Sequence, residues 1–427
     1  MTRQDPESFG SRGGASAAIP ASLPRLPGLD HTLRFLNSGY PFIGQTCDRL
    51  GVDGFRARLM LREAFCLRGP EAAALLYGRS GTTRVGAMPT TVLRLLQDKG
   101  SVQQLEGEAH RRRKALFIRL VMDPARVDDL TRRFEQAWMR GLTPDCEITV
   151  LDHANTALTR AVCGWAGLDL SERDIARMTR ILFRMSDRSG HFGPGTVATL
   201  WQRRALERQL RSAMRDATGD TPLAVLAREL PPGTAAVELL NILRPVVAIG
   251  RYIAFAAKAL HEHPMWCELF RSGNDDYIAD FCEEVRRTAP FFPAAAAIAT
   301  EELVWQGAII PKGSWLLLDL FGTNRDARHF PMPERFRPER MLDWTAQDDC
   351  FIPQGAGKVE RSHRCPGEMA TLALMSSAVR MLCCRMEYTL PPQDIGVALN
   401  RVPARPASGV RIRIQRVSRE TIPGNSA

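Results

Sequence analysis

The feature that most constrains this chain is a glycine-rich, basic segment that leads into one cysteine. The segment reads Phe351-Ile-Pro-Gln-Gly-Ala-Gly-Lys-Val-Glu-Arg-Ser-His-Arg-Cys365-Pro-Gly367-Glu, and an apolar helical pattern follows it from Met369 to Cys384. Glycines let a backbone pass flat against a large planar ligand. A cysteine just before a helix start can hold its charge as a thiolate, because the helix N-terminus favours negative charge.

Two cationic side chains directly precede this cysteine. His363 and Arg364 can donate hydrogen bonds to carboxylates on the same ligand. A thiolate, a flat approach and carboxylate donors together describe the proximal face of a haem. The pattern therefore predicts that Cys365 is the metal ligand of a haem b and that His363 contacts this cofactor. The alternative is a buried structural cysteine on a loop, and the rest of the chain favours the ligand.

Length and composition allow one large domain. The chain has 427 residues, of which 44% are hydrophobic, enough to bury a sizeable core. Residues 1–28 are rich in Gly, Ala, Ser and Pro, which predicts a disordered N-terminal tail. No linker and no internal repeat follows Leu29, so residues 29–427 are predicted to form a single domain.

The charge of the chain and its cysteines indicate which partners it binds and in which cellular compartment it works. The net charge is +10, but no repeated basic motif with interleaved aromatics is present, which argues against nucleic-acid binding. The ten cysteines form no C-x-x-C pair and lie mostly in apolar helical patterns, as expected of reduced thiols in the cytoplasm. No signal-peptide core and no run of about 18 uninterrupted apolar residues occurs, so no membrane anchor is expected.

Hydrophobic periodicity predicts a mainly α fold, with a large helical body and a small β-rich lobe. Helical patterns cover 46–59, 109–140, 151–165, 172–189, 197–216, 234–261, 276–288 and 366–384. Strand patterns cover 303–305, 308–310, 314–321 and 410–417. The last of these alternates apolar and basic residues, which predicts an edge strand.

A second constellation consists of one glutamate and two arginines. Glu284 and Arg287 stand three residues apart and share one face of a predicted helix. Such a pair alone is typical of a solvated surface. Arg340, at the end of Phe336-Arg-Pro-Glu-Arg340, can join them in a charge cluster, which is tolerable in the interior only if its members are paired. We therefore predict a structural cluster of these three side chains.

The long helix predicted from Thr234 to His261 carries an arginine followed by a proline in its apolar middle. At about 1.5 Å per residue it spans roughly 40 Å. Arg244 is surrounded at core spacing by Leu240, Leu243, Val247 and Gly250. A buried guanidinium is costly without a counter-charge, and an arginine fork binds a carboxylate through two hydrogen bonds. Pro245 is expected to kink the helix and open space. The pair predicts a carboxylic acid held here; an arginine that reaches solvent is the alternative.

The ordered set of Glu284, Arg287, Arg340 and Cys365 resembles the cytochrome P450 superfamily, from about Leu29 onwards. The resemblance implies a mostly helical, single-domain fold and haem as the cofactor. Members that activate dioxygen carry an acid next to a threonine in the central helix, and this chain has no such pair there.

The Arg244-Pro245 pair and the insertion Lys358 to Ser362 resemble one branch, the bacterial fatty acid peroxygenases. This implies hydroxylation of fatty acids at the α or β carbon with hydrogen peroxide, without a redox partner. Arg244 and Pro245 then belong to the catalytic site, and the substrate carboxylate acts as the general acid–base.

By position, the same resemblance places Gln103 over the haem, where glutamine favours hydroxylation. It makes Arg84, His110 and Lys114 candidates for contacts to the haem propionates. The alternatives are an ordinary polar loop residue for Gln103 and a solvated helix face for His110 and the basic residues that follow it. Three alternatives stay open: a fatty acid decarboxylase that forms terminal alkenes by the same mechanism, a monooxygenase fed by a redox partner, and a haem-binding sensor or carrier.

Overall fold

The computed structural model describes residues 22–78, 81–191, 193–341 and 349–418. Helices make up most of it. The α-helices in chain order are α1 (Thr32–Ser38), α2 (Phe42–Leu50), α3 (Pro70–Tyr77), α4 (Thr90–Leu96), α5 (Gly107–Val121), α6 (Pro124–Trp138), α7 (Val150–Ala166), α8 (Glu172–Asp187), α9 (Pro194–Ala213), α10 (Pro222–Glu229), α11 (Pro232–Ala248), α12 (Gly250–Glu262), α13 (Pro264–Arg271), α14 (Ile278–Thr288), α15 (Leu320–Thr323) and α16 (Glu368–Arg380).

The strands form three small sheets. In chain order they are β1 (Gly54–Leu59), β2 (Arg62–Leu67), β3 (Thr82–Thr83), β4 (Glu147–Thr149), β5 (Ala294–Ala299), β6 (Leu303–Trp305), β7 (Ala308–Ile310), β8 (Trp315–Asp319), β9 (Met386–Thr389) and β10 (Arg411–Val417). The largest sheet has the order β1-β2-β8-β5-β3, in which only β2 and β8 run parallel. A second sheet has the order β4-β10-β9, and β6 and β7 form a hairpin.

The apolar core has one part in the helical body and another in the β-rich lobe. Helices α6, α7, α11, α12 and α16 bury one continuous cluster that includes Phe134, Leu158 and Leu240. The five-stranded sheet separates two smaller clusters, and every residue of its central strand β8 is buried. A strand covered on both faces reads as a continuous apolar run, as Trp315-Leu-Leu-Leu does. The predicted mainly α fold with a small β-rich lobe is confirmed.

Several predicted boundaries are wrong for local reasons. The helix predicted over 46–59 ends at Leu50, because Gly51 adopts a left-handed conformation with φ 66° and ψ 33°, and β1 follows. The helix predicted over 109–140 is divided into α5 and α6. There the side chain of Asp123 accepts a hydrogen bond from the Arg126 N–H, and Pro124 occupies the first helical position.

The prediction of an edge strand at 410–417 is also wrong. Strand β10 lies between β4 and β9. Its alternation arises because Ile412 and Ile414 are fully buried against the helical core while Arg413 between them is exposed. Alternation reports one buried face; the position of a strand within its sheet depends on distant partners.

Part of the segment assigned to the tail is packed on the β-rich lobe. Residues 1–21 lie outside the described residues. In the rest of the segment, Leu23 and Leu26 are buried, and the Leu26 N–H donates to the carbonyl of Arg56 in β1 at 2.8 Å. The prediction that disorder extends to residue 28 is therefore wrong, because two leucines in this stretch find apolar cover.

Helices α11 and α12 cross the core one after the other. Together they span Pro232–Glu262, a stretch of 31 residues that contains an 18-residue window with a mean hydropathy of 1.4, and by length and composition it could cross a membrane. However, 94% of its most apolar window is buried inside the protein. An all-round apolar helix of this kind is typical of a core.

Candidate active site

One cavity of about 930 Å³ collects most of the side chains that the sequence singles out for chemistry. It is bordered by α11 on one side and by the cysteine segment, residues 353–367, on another. Its wall includes Arg84, Gln103, His110, Lys114, Arg244, Pro245, His363 and Cys365. These residues come from five separate stretches of the chain, so tertiary folding brings them together.

The cysteine segment is held by its own backbone. The Cys365 N–H donates to the carbonyl of Gln354 at 3.0 Å, and the Gly367 N–H points at the Cys365 sulfur from 3.4 Å. Gly355 has a φ of 102°, and a side chain there would come within 3.0 Å of the Tyr77 ring. Glycine is therefore required at this close approach, and the loop presents the sulfur on the cavity wall just before α16.

Burial dominates the electrostatics of this sulfur. Burial raises the pKa of the Cys365 thiol, and the Gly367 N–H and the charge of Lys114 lower it only in part. The helix start alone therefore does not hold a thiolate here, which differs from the sequence expectation. A coordinated metal ion deprotonates a thiol outright, so the site fits a haem iron bound at this sulfur.

Two histidines meet at the cavity wall. The ring centroids of His110 and His363 are 4.3 Å apart, and the His363 Nε2 lies 3.6 Å from the carboxylate of Glu106. Burial lowers the pKa of both rings, and the neighbouring His363 and the charge of Lys114 help to bring that of His110 to about 4. A neutral His110 can still donate one hydrogen bond to an anion. Sequence reasoning missed Glu106 as the partner of His363.

The two remaining basic residues bind backbone carbonyls around the cavity. The Lys114 Nζ donates to the carbonyl oxygens of Ser362, at 3.3 Å, and Arg364, so it holds the cysteine segment. Arg84 donates to the carbonyl of Ala296 at 2.5 Å. Burial lowers the pKa of Lys114 to about 8. An anion on this side of the cavity would favour the charged lysine, as a haem carboxylate does.

Arg244 projects into the cavity without a counter-ion among the residues that the structure describes. It is only 7% exposed, and its Nε makes no hydrogen bond. Burial first, and then the positive charges of Arg203 and Arg251, lower the pKa of Arg244 to about 10, while the charge of Cys365 acts in the opposite direction. This placement contradicts the alternative in which the side chain reaches solvent. A buried, unpaired guanidinium is a site for an anionic ligand.

Pro245 also lines the cavity, but the helix is interrupted further on. Helix α11 continues through Pro245 to Ala248. At Ile249 the backbone stays helical, but its N–H donates to the carbonyl of Val246, three residues earlier, at 3.1 Å. The proline lacks the N–H that would bind the carbonyl four residues earlier. That carbonyl belongs to Asn241, whereas the interruption lies four residues beyond the proline, so the missing N–H does not account for its position.

Gln103 belongs to a 3₁₀ turn, Val102–Gln104, that lines the cavity. Its Oε1 is buried without a hydrogen-bond partner in the described part of the chain. The turn is fixed by Glu238 of α11, whose carboxylate accepts from the Val102 N–H at 2.8 Å, from Arg113 at 2.6 Å and from Asn241 at 3.0 Å. Sequence reasoning missed Glu238. The available signal was an acid in an apolar helix, six residues before Arg244.

The structure brings the predicted charge cluster together outside the cavity wall. Arg287 donates two hydrogen bonds to Glu284, at 2.7 and 2.8 Å, and Arg340 donates a third at 3.2 Å. The side chains are 0%, 0% and 9% exposed for Glu284, Arg287 and Arg340. Arg287 also donates to the carbonyls of Asn324 and Pro333. The cluster thus ties α14 to the irregular chain around residues 324–340.

Fold and site together define a haem-thiolate protein. The family model for cytochrome P450 matches residues 276–393. Among solved structures, cytochrome P450EX alpha (CYP152N1) with myristic acid is 33% identical, with a TM-score of 0.88, over 92% of this chain and 99% of that one. Cytochrome P450SP alpha (CYP152B1) in complex with (R)-ibuprophen is 38% identical, with a TM-score of 0.87, over 90% of this chain and 98% of that one.

Curated relatives match over shorter stretches. The 2-hydroxyisoflavanone synthase of Glycine max is 28% identical over 132 residues, so the chain spans only 25% of that relative's length. The full-length likeness to the two solved structures decides the family. This chain belongs to the cytochrome P450 family and, within it, to the fatty acid peroxygenase branch that includes these CYP152 proteins. Its cofactor is haem with an axial cysteine thiolate.

Proposed function

We propose that this protein is a peroxygenase that uses hydrogen peroxide to hydroxylate fatty acids at the α or β carbon. The observation that carries the proposal is the buried guanidinium of Arg244, which faces the same cavity as Cys365 and has no counter-ion among the described residues. A substrate carboxylate supplies the missing charge. Cytochrome P450EX alpha, which covers nearly the same length, binds a fatty acid, and P450SP alpha binds the ligand (R)-ibuprophen.

Cys365 is the proposed axial ligand, and four basic residues are proposed to hold the haem carboxylates. His110 and His363 offer ring N–H groups, while Lys114 and Arg84 offer positive charge on the cavity wall. When it is bound through the thiolate, the haem supplies the oxidising power for C–H hydroxylation with peroxide.

The protein's own part in catalysis is to bind, orient and exclude water. Arg244 fixes the carboxylate with two parallel hydrogen bonds, which sets the position of the neighbouring carbons. The bound carboxylate then moves a proton between the two oxygens of hydrogen peroxide, the task of a general acid–base. Pro245 places an apolar ring beside Arg244, so the guanidinium is the charged group on this part of the cavity wall.

The apolar remainder of the cavity is suited to the alkyl chain. Ala294, Ala295 and Ala296 of β5 form a smooth wall, and the lining continues to Phe35 and Met60 near α1. Burial of each methylene contributes about 0.8 kcal/mol. A long, unbranched chain running from Arg244 toward α1 therefore gains binding energy along its whole length.

Gln103 favours hydroxylation over formation of a terminal alkene. Its amide offers a donor and an acceptor but no proton that titrates near neutral pH. The decarboxylase alternative is decided by the products. We also propose that no redox partner and no nucleic acid is needed. The chain from residue 22 onwards is proposed to act as one haem-thiolate domain, because Leu23 and Leu26 pack on it. The protein is proposed to be soluble and cytoplasmic.

The test is turnover of myristic acid by the haem-loaded enzyme with hydrogen peroxide alone. The expected products are hydroxy acids, identified by mass spectrometry. A parallel reaction without peroxide contains a reductant, a ferredoxin and its reductase. If only the parallel reaction yields product, the enzyme is a conventional monooxygenase. If neither reaction does, a haem-binding sensor or carrier is the better description.

A further inference from the structure

Two cysteines that do not line the cavity lie next to each other on two packed elements. Cys267 lies in α13, and Cys383 lies in the π-helical turn Met381–Arg385 that follows α16. The element that carries Cys267 packs against the turn that carries Cys383, and the two thiols lie close enough to interact directly. One guanidinium joins both sites, because Arg271 points its Nη2 at the Cys267 sulfur from 3.5 Å and donates from Nε to the Cys383 carbonyl at 3.1 Å.

This environment activates one of the two thiols. The hydrogen bond from Cys383 and the positive charge of Arg271 lower the pKa of Cys267 to about 7, although burial opposes this shift. The pKa of Cys383 moves upward, because its proton is held between the two sulfurs. Cys267 is half-buried and Cys383 is buried. An oxidant therefore meets the activated sulfur first, while the second thiol waits behind it.

Other cysteines of the chain have the opposite environment. Burial raises the pKa of Cys47, Cys163 and Cys282 to about 12, and none of these three is exposed. Thiols of that kind are inert packing groups. The pairing of a half-buried, activated cysteine with a second thiol in contact is the arrangement found where an oxidised sulfur is resolved as a disulfide.

We propose that Cys267 is a peroxide-reactive thiol that closes a disulfide with Cys383. The Cys267 thiolate attacks one oxygen of hydrogen peroxide, the O–O bond breaks, and the sulfur becomes a sulfenic acid while hydroxide leaves. The Cys383 thiol, as its thiolate, then attacks that sulfur and displaces hydroxide. In total two thiols are oxidised, one peroxide is reduced to two waters, and one S–S bond forms.

The disulfide connects α13 to the chain that leaves α16, the helix that begins three residues after Cys365. A cross-link there restrains the far end of the helix that follows the haem ligand, and we expect it to raise the midpoint of thermal unfolding. The proposed function supplies the oxidant, since the enzyme works in the presence of peroxide. The oxidation itself does not require turnover of a fatty acid.

The test exposes the haem-loaded enzyme to hydrogen peroxide without fatty acid. At timed points the free thiols are alkylated, and the protein is digested without reductant for mass mapping. We expect a cross-linked Cys267–Cys383 peptide that grows with time and disappears on reduction. The half-buried Cys146 serves as the internal control. Oxidation of Cys146 before any Cys267–Cys383 cross-link overturns the proposal, and so does a cross-link from Cys267 to Cys384.

Two variants test the individual roles. In Cys383→Ser the sulfenic acid should accumulate on Cys267, where a carbon nucleophile traps it; a lack of trapping overturns the proposed first step. Arg271→Gln should slow cross-linking several-fold and Arg271→Lys should slow it less, whereas equal rates overturn the role of the guanidinium. Fatty acid turnover is measured on the same wild-type preparation. If the Cys267–Cys383 cross-link forms but fatty acid is not turned over, only the proposed function is wrong. If fatty acid is turned over but the cross-link does not form, only the disulfide proposal is wrong.

Discussion

The carboxylate of Glu238 accepts a hydrogen bond of 2.8 Å from the N–H of Val102, the residue directly before Gln103. This contact fixes the turn that carries Gln103 to α11, the helix that carries Arg244. Arg113 of α5 binds the same carboxylate oxygen at 2.6 Å. Two residues proposed to contact the substrate are thus positioned against each other through one buried acid.

We predict that Glu238→Gln changes the ratio of α- to β-hydroxylated product. The amide keeps an acceptor for Val102 but loses the charge that holds Arg113, so the turn can shift relative to α11. Hydrogen bonds to charged groups contribute about 1.5–3 kcal/mol, and the thermal midpoint should fall as well. Regioisomers are measured by gas chromatography after peroxide turnover. Glu108→Gln, at an exposed glutamate of α5, is the control. An unchanged ratio at normal turnover would show that Glu238 only stabilises the fold.

The product spectrum of the wild type tests Gln103. We expect hydroxy acid to predominate over terminal alkene at every peroxide concentration that supports turnover, because the amide provides no titrating proton beside the substrate. Both products are quantified in one extraction. Gln103→His should raise the alkene fraction. A wild type that forms mainly alkene would reverse the assignment as a hydroxylase.

The lowered pKa of Lys114 predicts that haem retention depends on pH. Its pKa is lowered to about 8 by burial, and a haem carboxylate nearby would raise it again. Haem binding is then linked to proton uptake above pH 8, so affinity falls as the pH rises from 8 towards 10. The measurement is the rate of haem loss to a scavenging globin. Lys114→Arg keeps its charge throughout this range and should lose most of the dependence, whereas an identical profile would remove Lys114 from the haem site.

The cluster around Glu284 predicts a failure of folding. Removing one partner of a buried ion pair costs about 3–5 kcal/mol, and Glu284→Ala leaves both Arg287 and Arg340 without their anion. Little soluble, haem-loaded protein should result. The matched control is Glu387→Ala, which breaks an exposed pair with Arg416 at 3.7 Å and should cost under about 1 kcal/mol. Normal haem content in Glu284→Ala would show that the cluster is dispensable.

The sequence predicted those site residues whose role is indicated by their neighbours along the chain. Cys365 has its glycines and its helix within a few residues, and Arg244 stands out in an apolar helix. Glu238 and Glu106 were missed because their partners are distant: Val102 is 136 residues away from Glu238, and spacing along a chain does not show such pairs. The prediction that β10 is an edge strand was wrong for the same reason, because both of its neighbouring strands are distant from it in sequence.

Arg244→Ala should separate function from stability. The side chain is buried without a counter-ion among the described residues, so its removal relieves a desolvated charge, and the thermal midpoint without fatty acid should stay equal or rise. With fatty acid the partner of the carboxylate is lost, which costs about 2–5 kcal/mol. Because the acid–base group arrives with the substrate, kcat should fall together with kcat/KM, by about 100-fold or more. Arg244→Lys keeps the positive charge but cannot form two parallel hydrogen bonds, so its kcat and kcat/KM should lie between those of the wild type and those of Arg244→Ala. If Arg244→Ala is instead destabilised while peroxide-driven hydroxylation persists, the guanidinium has a structural role and the carboxylate is held elsewhere.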